Sequence, residues 1–369
     1  MLHDQPELVW NKGIASLCDR RIPDEFPGGG AYVSVKTLAG ENPRAGFPAN
    51  LISNLADYQD VPEGALIWVR LTWLKSFVSQ VLPLLKNRIV LVTGDSDGST
   101  PSEAMPEARA ILKSPKIIRW YAQNCDGSVS PQKVSPIPIG IDFHTLSERP
   151  FWGEKMSSPP EQELTLKSIR DRLPAPQDRI PLVYLDFGWQ ETYGSRELKG
   201  AKCGDGRPEI IRRLRNNRLC VLQERLSQTE TWRRRGEYLF VVSPHGNGLD
   251  CHRTWEALAL GHIVVTPSSS LDSMYEGLPV ITIDNYDAIT EENLMEWKSR
   301  FADWSGNGAK LTSSYWVDVM RRAARECIES GGAARSSGAE SVGWADPRAV
   351  PPYRGPSQQA PPSPDSAGK

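Results

Sequence analysis

The residues with the most chemical content fall between 238 and 284. Here His245-Gly246-Asn247-Gly248 places two glycines ahead of a helical pattern that carries Arg253 and Glu256. Backbone N–H groups of such a loop, and of the helix start behind it, can hold a phosphate oxygen. Arg253 would add a charge-assisted, bidentate contact. Glu256, three residues on and on the same face, would accept hydrogen bonds from ribose or sugar hydroxyls. His245, at a strand end, would donate to a phosphate or a sugar. The plainer alternative is an ordinary strand-to-helix turn with a surface Arg253–Glu256 ion pair, and a GxG alone does not decide between them.

Two further groups bear on the same chemistry. Asp95 and Asp97 follow an apolar run, where either could act as general base on an acceptor hydroxyl. Together they could hold a divalent cation on a diphosphate. The alternative has Asp95 capping the turn and Asp97 in solvent. Arg196 and Lys199 follow the first strand pattern of the second half, where cations could face a leaving diphosphate or lie on the surface. His245, Asp250, Cys251 and His252 fit no standard zinc spacing, so no metal site is expected there, and His252 reads as a solvated helix residue. No GxSxG elbow, Walker loop or HExxH occurs.

The elements that must position these groups follow from apolar periodicity. A strand over 238–242, a helix from about 250 to 261 and strands over 263–265 and 278–283 give the order of a parallel α/β sheet. A first unit holds strands near 65–71, 88–93 and 116–122, helices over 73–86 and 106–112, and an extended segment over 134–141. Residues 145–178 mix proline with charge and read as a linker containing a helix over 164–173. The second unit opens with a strand over 180–187 and closes with helices over 291–301 and 314–327. Residues 1 to about 60 are irregular. The chain after 330 is rich in Pro, Gly, Ser and Ala and is expected to be disordered. The domains are therefore 1–144, 145–178 as linker, 179–330, and a tail over 331–369.

Composition narrows the function classes. The chain has 369 residues and a formal net charge of −2, so no global field favours nucleic acid. Its six cysteines are scattered, which suits free thiols in a reducing compartment. No apolar run reaches membrane-span length and the first residues show no signal pattern, so a soluble, cytoplasmic protein is expected.

The run SPHGNGLDCHRTWEALALGHIVVTPSSSLDSMYEGLPVITIDNY resembles the nucleotide-sugar-binding half of exostosin-like glycosyltransferases. The stretch IPIGID, ending at Asp142, resembles the crossing between the two domains of such enzymes, and LVTGDSD resembles an acceptor-side domain. The resemblance implies a GT-B-like α/β fold, with two Rossmann-like domains facing across a cleft. It implies transfer of a sugar from a nucleotide-sugar to a hydroxyl of a glycan or glycosylated acceptor. Arg253 then matches the cation near the diphosphate, Glu256 the acid at the ribose or sugar, and Gly246 and Gly248 the close backbone approach. No cofactor is required on this reading; a divalent cation is possible but not favoured. Two rivals remain: a GT-B-like nucleotide- or glycan-binding protein without turnover, and a phosphate-handling α/β hydrolase.

Overall fold

Unbroken apolar runs mark strands that are covered on both faces, and the computed structural model places them in two parallel sheets. It describes residues 5–23, 55–188, 197–223, 226–304 and 306–331. The expected disordered tail lies outside the described residues, as do Arg196 and the segment 24–54. The first sheet contains β1 (Arg20–Ile22), β2 (Ala65–Arg70), β3 (Ile89–Gly94), β4 (Ile117–Ala122) and β5 (Val134–Pro136), in that order and all parallel. Ile89, Val90, Leu91 and Val92 are fully buried, as their lack of alternation requires.

The second sheet contains β6 (Ile180–Leu185), β7 (Cys220–Leu222), β8 (Tyr238–Val242), β9 (Ile263–Pro267) and β10 (Val280–Ile283). Its spatial order is β10-β9-β8-β6-β7, again parallel. The chain runs from β6 outward to β7, then returns to the other side of β6 as β8. That reversal opens a crevice beyond the ends of β6 and β8, the place where open α/β sheets take ligands.

Among the described residues the α-helices of five or more residues are α1 (Asn11–Leu17), α2 (Glu107–Lys113), α3 (His144–Glu148), α4 (Pro159–Arg170), α5 (Arg207–Leu214), α6 (Gln228–Arg235), α7 (His252–Ala259), α8 (Glu291–Arg300) and α9 (Ser313–Gly331). The helix expected over 73–86 forms instead as consecutive short turns over Leu71–Trp73, Leu74–Ser76 and Phe77–Val81, the last with wider, π-type hydrogen bonding. Pro83, which has no N–H to donate, follows one residue later. The linker carries α4, which starts in a Ser158–Glu161 capping box. Glu163 of α4 accepts from the backbone N–H groups of Glu7 and Leu8, at 3.1 and 2.6 Å. α9 packs beside α1 and against β2, β3 and β4, on the first sheet rather than the second. Trp316 of α9 meets Trp255 of α7 edge-on at 6.3 Å, so the apolar core runs from one half into the other. No helix among the described residues is long and apolar enough to cross a membrane. All six cysteines are free.

Candidate active site

The first sheet delivers its polar residues at the C-terminal ends of its strands. β2 ends at Arg70, β3 at Gly94 just before Asp95, and β4 just before Gln123 and Asn124. The start of α1 comes so close that a Cβ on Gly94 would lie 2.1 Å from Asn11 Nδ2. Asp95 turns through a left-handed backbone (φ 56°), which aims its carboxylate between two cations. Lys12 Nζ is 3.2 Å from Oδ1 and Arg70 Nε is 3.1 Å from Oδ2. Gln123 Oε1 accepts from Asn11 Nδ2 at 2.8 Å and from the Asp95 N–H at 3.0 Å. Burial pushes the Asp95 carboxyl up, but Lys12, Arg70 and His144 outweigh it and hold the group below the usual carboxylate range. Asp97 is exposed.

A second group comes from the chain that crosses between the halves. Ile141 N–H donates to Val9 O at 2.8 Å, and Gly140 takes φ 69° where a Cβ would lie 2.2 Å from that same oxygen. Only glycine fits this crossing. It fixes Asp142 beside the start of α3, where Oδ1 accepts from Thr145 N–H at 2.9 Å and Oδ2 from Thr145 Oγ1 at 2.8 Å. His144 Nδ1 lies 2.7 Å from Asp142 Oδ1. From the other half, His252, the first residue of α7, puts Nδ1 2.7 Å from Gly140 O. Burial raises the Asp142 carboxyl, but His144, His252 and the Thr145 hydrogen bonds outweigh it, leaving it well below its usual range. His252 is thus not a solvated helix residue. It faces His144 with ring centroids 5.6 Å apart.

These two groups line one cavity of about 330 Å³. Its walls include Lys12, Arg70, Asp95, Asp97, His144 and His252, with Trp10 and Ile139 giving apolar surface. It joins the strand ends of the first sheet to the N-terminus of α7 from the second half.

The glycine loop serves packing between the halves. A Cβ on Gly248 would meet Asn124 Nδ2 at 2.5 Å, and Asn124 Oδ1 accepts from Asp250 N–H at 2.9 Å. Gly246 N–H donates to Gly248 O at 3.0 Å, closing the loop on itself, while Asn247 is exposed. The start of α7 already holds a carboxylate. Asp250 accepts from Cys251 N–H, Ile139 N–H, Trp255 Nε1 and Tyr275 Oη, all between 2.8 and 3.1 Å. His245 Nδ1 lies 2.7 Å from Leu249 O, and burial pushes its imidazole below the ordinary value.

Arg253 and Glu256 do not pair with each other as the surface alternative supposed. Arg253 Nε contacts Asp186 Oδ1 at 2.8 Å, just past β6, and its guanidinium lies 5.7 Å from the Phe187 ring centre. Arg235 of α6 reaches the same carboxylate, with Nε 2.7 Å from Oδ2. Glu256 accepts from Trp232 Nε1 at 3.1 Å and lies 3.6 Å from Arg235 Nη1. Two acids and two arginines thus lock β6, α6 and α7 together. Arg253 Nη1 is left with no hydrogen-bond partner.

Lys199 is half exposed and pairs with Glu197 at 3.2 Å, away from the cavity walls. Nearer the crevice, Arg207 of α5 donates from Nε to His245 O at 2.9 Å, and Lys202 Nζ contacts Asp272 at 2.9 Å. Lys12, Arg70, Asp142 and His144 were not singled out from sequence. Asp142-Phe143-His144 was the available signal: an acid and an imidazole two apart, with Gly140 two residues before the acid.

No protein-family model matches the chain, and no curated protein matches it. Among solved structures it is similar to a sucrose-phosphate synthase from Thermosynechococcus elongatus, at 14% identity over 73% of each chain, with a TM-score of 0.31. At that distance the likeness carries no inference about chemistry.

Proposed function

We propose that the protein is a glycosyltransferase that moves a sugar from a nucleotide-sugar donor to an acceptor hydroxyl, along the lines of the exostosin-like resemblance. The observation that carries this reading is the cavity in which Arg70, Asp95 and Asp97, at the strand ends of the first sheet, meet Lys12, His144 and, from the second half, His252. Its polar walls suit a sugar-sized group with several hydroxyls, and Trp10 offers an apolar face for a pyranose ring. Asp97, the solvated carboxylate at its rim, is the proposed base for the acceptor hydroxyl. Asp95, ionised and held by Lys12 and Arg70, positions the acceptor rather than taking its proton.

The donor's diphosphate would lie toward the crevice between β6 and β8. Support comes from the His245 loop, from Arg207, and from the unpartnered Nη1 of Arg253. Cations there would stabilise the departing diphosphate as negative charge builds on it. In this arrangement Glu256 acts through Arg235 and Trp232, holding α6 against α7, and Gly248 allows the halves to approach.

Thermal unfolding with a panel of nucleotide-sugars and free nucleoside diphosphates tests the binding half of this proposal. At one hundred times the dissociation constant, the matching donor should add about 2.7 kcal/mol of stability, a rise of several degrees in Tm. If no donor and no nucleotide raises Tm, the reading fails. Binding without any sugar transfer would mark a binding protein instead.

A further inference from the structure

We propose that Asp142, His144 and His252 form a binding site for one divalent transition-metal ion in the wall of the cavity. The site needs neither sugar nor nucleotide, so it stands or falls apart from the transferase reading. One ligand atom from each residue lies within 4.8 Å of the other two, and they come from separate places: the crossing segment, the start of α3 and the start of α7.

The orientation of each group is fixed by a neighbour. A carbonyl can only accept, so Gly140 O at 2.7 Å puts the proton of His252 on Nδ1 and leaves Nε2 as a lone pair. Metal-binding histidines are usually oriented by this kind of backbone or carboxylate contact. Gly140 packs closely against the backbone of Val9 and Trp10, where a Cβ would lie 2.2 Å from Val9 O. Asp142 is held through both oxygens by Thr145. His144 Nδ1 and Asp142 Oδ1 lie 2.7 Å apart, so both reach the same small space. Two donors at that spacing subtend roughly 80° at an ion about 2.1 Å from each, near the octahedral angle.

The donor set selects the metal class. Two imidazoles and one carboxylate suit Zn²⁺, Fe²⁺, Co²⁺ or Mn²⁺ and are poor for Mg²⁺ or Ca²⁺, which prefer oxygen alone. His144 and His252 line the cavity, so the remaining coordination positions open toward whatever the cavity holds. An ion there would act as a Lewis acid on an oxygen of that guest.

The test uses the full chain, stripped with a chelator and titrated with Co²⁺, reading ligand-field absorption and bound metal per chain. The expected result is one Co²⁺ per chain, competed by Zn²⁺, with affinity at least about tenfold weaker in Asp142→Asn and in His252→Ala. Asp142→Asn keeps the size of the side chain and an acceptor for Thr145, so its fold, checked by circular dichroism, should stand even if His252→Ala does not. No uptake by the wild type, or equal uptake by a folded Asp142→Asn, would overturn the site.

Discussion

Replacing Asp186 by alanine is expected to cost about 3–5 kcal/mol of stability, the usual penalty for leaving buried charge without its partner. Asp186 is 1% exposed and holds both Arg235, 3% exposed, and Arg253. Without it, Arg253 loses its ion-pair partner and Arg235 keeps only Glu256, 3.6 Å away and already accepting from Trp232. The loss should appear in the denaturation midpoint, with an unchanged slope against denaturant. Asp186→Asn, which keeps the shape and one acceptor, should lose less. A double variant, Asp186→Leu with Arg235→Met, should recover part of the loss, because a neutral pair leaves less charge unmatched. An Asp186→Ala midpoint equal to wild type would show that water reaches these groups and that they are not a structural lock.

Replacing Lys12 by methionine is expected to lower any transfer rate about a hundredfold, the scale of a misplacement of roughly 1 Å at a reacting group. Lys12 is one of two cations that aim Asp95 into the cavity, and it is almost fully buried. The same variant should change the response to acid. The folded pKa of Asp95 is depressed, so its contribution is present above the unfolded carboxylate value of about 3.9 and is lost as pH falls through the lower folded value. Removing Lys12 leaves burial opposed mainly by Arg70, so the folded pKa rises and the contribution shrinks. Acid unfolding should therefore begin at a higher pH in Lys12→Met than in wild type. Coincident acid-unfolding curves would show that the Lys12–Asp95 contact contributes nothing to the folded state.

Strands were the most legible feature of the chain. Ile89 to Val92 and Tyr238 to Val242 are apolar without alternation, and a strand covered on both faces is the arrangement that buries such runs. The loop before α7 was legible as a loop but not in its use. Gly248 was read as room for a ligand, whereas it makes room for Asn124 of the other half. That distinction depends on which chain segment arrives, a property of tertiary packing. The same holds for Arg253 and Glu256. Their spacing correctly puts both on α7, but the groups they meet are Asp186, Arg235 and Trp232, brought in by β6 and α6.

The cavity was half legible. Asp95 and Asp97 were visible because they follow a buried strand. Asn11 and Lys12 sit in a stretch with no motif, and only the antiparallel pairing of Val9 and Trp10 with the crossing segment brings them to the strand ends. His144 and His252 are far apart in sequence, and only the contact of α7 with Gly140 makes them neighbours.

The central claim is that sugar transfer takes place in this cavity, and the most direct measurement is release of nucleoside diphosphate from a panel of nucleotide-sugars, with and without added acceptor glycans. Acceptor-dependent release is expected with at least one donor in wild type. Asp97→Asn should still bind that donor but release product at least about a hundredfold more slowly, as expected for loss of a general base. Acceptor-dependent release that is undiminished in Asp97→Asn and Lys12→Met, or its absence with every donor that stabilises the protein, would contradict it.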